Sequence, residues 1–211
     1  MAEPEDARRY LPSRGGIPAH RRAAADCRGC LLYEDATQTV FGAGDASARL
    51  MLVGEEPGDQ EDREGEPFVG PAGRLLRRAA DEADLDMDRA YVTNAVKHFK
   101  FRRTGPGKRR IHKAPSLGEM TACRPWLEAE LRIVEPEVVV ALGATAAKSL
   151  LGHGFRVTRH RGDALTLPEP VPATVVATLH PSAVLRADDR EEAFSGLVAD
   201  LKAAARALQQ A

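Results

Sequence analysis

The chain has almost no net charge, few cysteines and no long apolar run, and each shortage removes a class of explanation. Its 30 basic and 31 acidic side chains leave a formal charge of −1, so the average composition does not announce a nucleic-acid partner. No apolar stretch approaches the roughly 20 residues of a membrane span, and the opening MAEPEDARRYLPSRGG lacks the apolar core of an export signal. No membrane association and a cytoplasmic location are therefore expected. Cys27, Cys30 and Cys123 cannot all pair with one another, which favours a reducing compartment and metal or cluster ligation over a disulfide framework. No internal repeat or oligomer signal is visible, so a monomer is expected.

What is present describes one globular core: 211 residues with 43% apolar content. Residues 1–18 read as a flexible extension and 19–211 as a single domain. Short apolar runs at Arg49–Gly54, Tyr91–Val96, Glu137–Leu142 and Thr174–Leu179 predict four strands. Between them, helical periodicity follows Pro71, a Ser116/Glu119 capping box opens a helix through Leu131, and helices are predicted over Ala144–Leu151 and Glu191–Leu208. A short helix is predicted over Ala19–Asp26, and Phe155–Leu167 reads as a two-stranded excursion. Alternating strand and helix predict an α/β fold: a central four-stranded parallel sheet with helices on both faces.

In such a sheet the chemistry collects at the carboxyl ends of the strands. The first of these loops, Gly54–Gly73, carries glycines that permit close backbone approach, including Gly54 and Gly58, and the carboxylates Glu55, Glu56 and Asp59. From Lys97 to Lys113 eight basic residues run without an acid, a candidate phosphate-contact surface that charge alone does not separate from a solvated loop.

The GE-x-PG, ED and PFVGPAG elements of Gly54–Gly73, with His180-Pro181-Ser182, resemble the motifs of the family 4, iron–sulfur uracil-DNA glycosylases, from about Cys27 to the last helix. The resemblance implies a three-layer glycosylase fold with an N-terminal segment tethered by a metal cluster. It also implies that Phe68 stacks on uracil, Asn94 reads its Watson–Crick edge and His180 donates to a uracil carbonyl. Such recognition suits a base extruded from the duplex. An Asn amide matches adjacent imide and carbonyl groups, and a donor at the oxygen stabilises uracil as it leaves as an anion.

Two departures point further. His98 stands where ordinary members place a cysteine, and Lys108-Arg109-Arg110-Ile111-His112 resembles the marker of the UdgX branch, whose histidine is a covalent nucleophile. That implies excision of uracil followed by a bond from His112 to C1′ of the abasic sugar, with Glu55 orienting or deprotonating His112 and Asp59 assisting. Glu56 replaces the Gln of that branch, and it joins Gly54, Gly58 and Asp59 as a uracil-site candidate. Lys97, Lys108, Arg109, Arg110 and Ser182 are the candidates for the DNA backbone. Uracil-containing DNA, single strands included, is the expected partner and free uracil the expected product.

With His98 in the family's cysteine position, Cys27, Cys30, His98 and Cys123 are the candidate metal ligands; spacing alone favours zinc, and the resemblance implies a [4Fe–4S] cluster. An ordinary turnover glycosylase and a non-enzymatic, metal-stabilised nucleic-acid-binding module are the alternative readings.

Overall fold

Runs rich in Val, Leu and Met, buried on both sides, make the centre of the sheet. The computed structural model describes residues 6–103, 105 and 109–211. Along the chain, β1 is Ala43–Gly44, β2 Leu50–Gly54, β3 Tyr91–Asn94, β4 Phe101–Arg103 and β5 Arg110–His112; β6 is Val138–Leu142, β7 Ala164–Thr166 and β8 Thr174–Thr178. The helices are α1 (Ile17–Ala24), α2 (Asp59–Glu64), α3 (Pro71–Asp81), α4 (Leu117–Val134), α5 (Gly143–Leu151), α6 (Val157–His160), α7 (Pro181–Arg186) and α8 (Arg190–Gln210).

Strands β3, β2, β6 and β8 lie side by side and parallel, as predicted. The four-strand expectation needs correction, however: among the described residues the sheet has six strands, because β1 and β7 add antiparallel edges. They have two and three residues, too short to carry a periodic signal. The predicted excursion over Phe155–Leu167 is instead the short α6 followed by β7, which pairs with β8.

Side-chain alternation divides the core into two layers. Met51, Val53, Val139 and Val175 face Trp126, Leu127 and Leu131 of α4, whereas Leu50, Leu52, Val138 and Val140 face α3 and α8 through Leu76, Leu197 and Leu201. Both faces of the sheet are dry, which is why the central strands read as unbroken apolar runs. The Ser116/Glu119 capping box forms at the start of α4. Residues expected to be a flexible extension include Ala7 and Ile17, both buried in the first layer.

Chain order reverses at β2, with β3 on one side of it and β6 then β8 on the other. Such a switch point opens a crevice beyond the strand ends.

Candidate active site

Three of the four parallel strands deliver polar groups to that crevice. Glu55 and Glu56 follow β2, Asn94 ends β3, and His180 caps α7 just beyond β8. They line a cavity of about 430 Å³ together with Gly58, Asp59, Phe68, Arg109, His112 and Ser182. Gly54 lies beneath it: a Cβ there would press on the Asn94 side-chain oxygen and approach the Phe68 ring to 2.7 Å. Phe68 itself has φ 61°, the left-handed region that β-carbon sterics disfavour. The loop holds it there because the carbonyl of Phe68 packs on Gly73, where any side chain would collide.

His112 reaches the cavity from the β4–β5 hairpin. Strand alternation puts Arg110 and His112 on one face and the exposed Ile111 on the other. The buried Arg110 bonds the Asp59 carboxylate, Asp62 Oδ2 at 2.5 Å, the Asp59 carbonyl at 3.1 Å and Thr37 Oγ1 at 3.1 Å. Its guanidinium also lies 5.3 Å and 5.0 Å from the ring centroids of Phe99 and Phe101. One side chain thus pins the hairpin to α2 two residues before His112.

The His112 Nε2 stands 3.3 Å from Glu55 Oε1 and 3.1 Å from Glu56 Oε1. Hydrogen bonds to Glu55 and then Glu56 push the imidazole up to about 9 against the opposing effect of burial. Glu56 is itself buried; its Oε1 also accepts from the Lys100 amide at 3.3 Å, while its Oε2 has no partner. Burial drives this carboxyl up to about 7. For Glu55 burial acts upward too, but the hydrogen bonds from His112 and Thr145 outweigh it and hold the carboxyl below its ordinary value.

His180 is the electrostatic opposite. Its Nδ1 accepts from the Ser182 amide at 3.1 Å and lies 2.8 Å from Ser182 Oγ, so the neutral ring carries its proton on Nε2. Burial lowers its pKa to about 4, which keeps it neutral and a donor at neutral pH. A neutral donor, a ringed wall, a buried amide and an imidazole between carboxylates occupy one crevice. The sequence pattern of the Uracil DNA glycosylase superfamily matches residues 41–202.

The chain belongs to the uracil-DNA glycosylase superfamily.

Among its relatives are type-4 uracil-DNA glycosylases. That of Sulfurisphaera tokodaii is 36% identical over 165 residues, covering 75% of this chain and 71% of the relative. That of Thermotoga maritima is 36% identical over 161 residues, covering 76% and 78%. That of Archaeoglobus fulgidus is 33% identical over 177 residues, covering 81% and 84%.

Within this superfamily framework, two of the basic residues expected at the DNA backbone need correction. Lys97 is fully buried, its Nζ bonded to Thr93 Oγ1 and the Asn94 carbonyl at 2.7 Å each and to Glu130 Oε2 at 2.5 Å. Arg110 is spent on Asp59 and Asp62. Neither has a free charge for a phosphate. Arg102, Arg103, Arg109 and Lys113 remain exposed; Lys108 lies outside the described residues. Ser182 is engaged by His180, which identifies its first duty as fixing that ring.

The cysteines lie on the other side of Lys97. Trp126 Nε1–H donates to Cys27 Sγ at 3.3 Å and the Lys97 amide to Cys123 Sγ at 3.2 Å. Burial, helped by Cys30 and Cys27, pushes Cys123 up to about 12. Three free thiols, with N–H donors aimed at two of them, have the chemistry of soft metal ligands. His98 also fits as a neutral imidazole. Thr39 Oγ1 donates to the Ala24 carbonyl at 2.9 Å, so the 2.8 Å contact from His98 Nε2 is a donation that leaves Nδ1 with its lone pair. The four do not form a gathered set: among the described residues no three His, Cys, Asp or Glu stand together as metal ligands.

Two residues at the site have roles that the sequence reading does not assign, although Glu61 belongs to the ED element. Glu61 lines the cavity and accepts from the Gly70 amide at 3.1 Å, tying α2 to the Phe68 loop. Thr145 donates to Glu55 Oε2 from the first turn of α5. Its only sequence signal is a hydroxyl just after the end of β6.

Proposed function

We propose that this chain removes uracil from DNA and then bonds through His112 to C1′ of the sugar it has exposed. The observation that carries the proposal is His112 Nε2 at hydrogen-bonding reach of two carboxylates in the cavity that Phe68, Asn94 and His180 share. Uracil enters as an extruded nucleotide, stacks on Phe68 and is read by Asn94. The neutral His180 donates from Nε2 to a uracil oxygen and stabilises the charge that arrives there. The C1′–N1 electron pair leaves with uracil. Held as an imidazolium at neutral pH, His112 first gives its Nε2 proton to a neighbouring carboxylate. The freed lone pair then bonds the oxocarbenium-like C1′, and a nitrogen already in place outcompetes an arriving water.

The exposed Arg109 and its neighbours receive the phosphates, with single-stranded DNA included among the substrates and one copy of the chain acting alone. Cys27, Cys30, Cys123 and His98 would hold a [4Fe–4S] cluster, or in the rival reading zinc, once drawn together from their ungathered positions. Either group, when bound, supplies a cross-link between the N-terminal segment, the exit of β3 and α4. Bound iron with a broad brown absorbance supports the first, and zinc by elemental analysis supports the second.

A turnover reading is favoured by the same imidazolium: a protonated His112 cannot attack, and Glu55 would then direct water to C1′ and release an abasic site. Incubation with a uracil-containing oligonucleotide and a denaturing gel separates the outcomes. Covalent capture gives a shifted band that His112→Ala abolishes; abasic product without that band refutes capture. Formation of neither the adduct nor the abasic product refutes the enzyme reading altogether.

A further inference from the structure

The two oxygens of Glu55 are used differently. Oε1 faces His112 Nε2 at 3.3 Å, and Oε2 accepts from the Thr145 hydroxyl. Thr145 lines no part of the cavity floor that a nucleotide would touch; it stands in the first turn of α5, which begins where β6 ends at the switch point. This turn is brought unusually close to the site. Gly143 has φ 89°, and a Cβ there would meet His180 Cβ at 2.9 Å. Glycine therefore lets α5 start against one site histidine while its third residue holds the carboxylate that faces the other.

We propose that Thr145 is a positioning residue whose hydroxyl, by occupying Oε2, fixes the rotamer of Glu55 with Oε1 toward His112 and keeps the carboxylate charged through the reaction. The proposal rests on the preceding reading only in taking Glu55 and His112 as the groups that work on C1′. Its physical basis is a conflict. Burial favours a neutral carboxyl, and a neutral Glu55 could neither take a proton nor balance positive charge at C1′ or His112. His112 supplies one bond to the charged form, but that bond changes as His112 loses its proton and bonds carbon. The Thr145 bond does not depend on that event. The groups facing Glu55 are His112 from β5, His180 from the start of α7, Thr145 from α5, and its chain neighbour Glu56.

The test compares Thr145→Val, which keeps the shape and removes the donor, with Thr145→Ser, which restores it; Thr145→Ala repeats the deletion should Val disturb α5. The Glu55 carboxyl is followed by carbon-13 NMR against pH in the free protein, and product formation on a uracil oligonucleotide is followed under single turnover. Losing one hydrogen bond to a charged group predicts a midpoint about one pH unit higher and product formation about tenfold slower, with the acid limb of its pH profile moved up. Ser returns both toward wild type. An unmoved Glu55 midpoint in Val and Ala overturns the inference whatever the protein does to DNA. A wild-type protein that leaves the oligonucleotide intact defeats the functional reading, while the Glu55 titration still decides the role of Thr145.

Discussion

Replacing Glu56 by Gln tests the electrostatic account of the site with a single atom change. Glu56 is buried, its Oε2 has no partner, and its carboxyl is driven from 4.5 up to about 7 by burial, against the lowering effect of His112. A folded-state pKa raised above the unfolded value means the native protein binds more protons between the two. Stability from this group is thus fully present below about pH 4.5 and is lost as pH rises through about 7. A difference of that size corresponds to about 3 kcal/mol, an upper figure because His112 and Glu56 titrate together. Gln has nearly the same shape and no proton to lose. Urea unfolding of both proteins at pH 4 and pH 8 should show the variant gaining about 1–3 kcal/mol on wild type between the two conditions. The His112 titration, followed by proton–carbon NMR, should fall from about 9 toward its ordinary value, because one of the two carboxylates that raise it is gone. A stability difference independent of pH, together with an unmoved His112, would refute the description of Glu56 as a buried carboxyl bonded to that imidazole.

Arg110→Met should cost about 3–5 kcal/mol in urea unfolding, because it strands the fully buried Asp62 without its cation. It should also loosen the hairpin that carries His112, seen as faster amide hydrogen exchange across β4 and β5. Gly54→Ala places a Cβ into the Asn94 side chain and the Phe68 ring. Binding of free uracil, measured by calorimetry, should be lost while the circular dichroism spectrum stays that of the folded chain; retained uracil binding would separate Asn94 and Phe68 from base recognition.

The central sheet was legible because its strands are buried on both faces and so read as apolar runs. The edges were not, since β1 and β7 have too few residues for any pattern. Helix α2 was hidden for another reason: DQEDRE has no apolar stripe, and its buried positions, Glu61 and Asp62, are acids whose partners come from elsewhere in the chain. The same principle governs the site. Motif and loop position pointed to Glu55, Asn94, His112 and His180, but they could not tell a basic residue that faces solvent from one that neutralises a buried acid. Lys97 and Arg110 look like Arg102 and Arg109 in the sequence, and only the positions of Glu130, Asp59 and Asp62 in space separate them.

That distinction changes what the basic segment is for. A buried ion pair is weak evidence for stability, because desolvation of both charges offsets their attraction, so the placement of Lys97 calls for another reason. Its ammonium holds the carbonyl of Asn94, its amide donates to Cys123, and its partner Glu130 accepts from Gly42, Tyr91 and Thr93. One residue therefore fixes the backbone of Asn94 and the sulfur of Cys123. Two strands further on, Arg110 does the equivalent for His112 by tying its hairpin to α2. The outer arginines stay exposed, while these two inner cations set the positions from which Asn94 and His112 face the same cavity. Lys97 and Arg110 are each satisfied by several bonds, and these networks of paired buried charges fix the exit of β3 and the separate two-stranded β4–β5 hairpin beside the cavity.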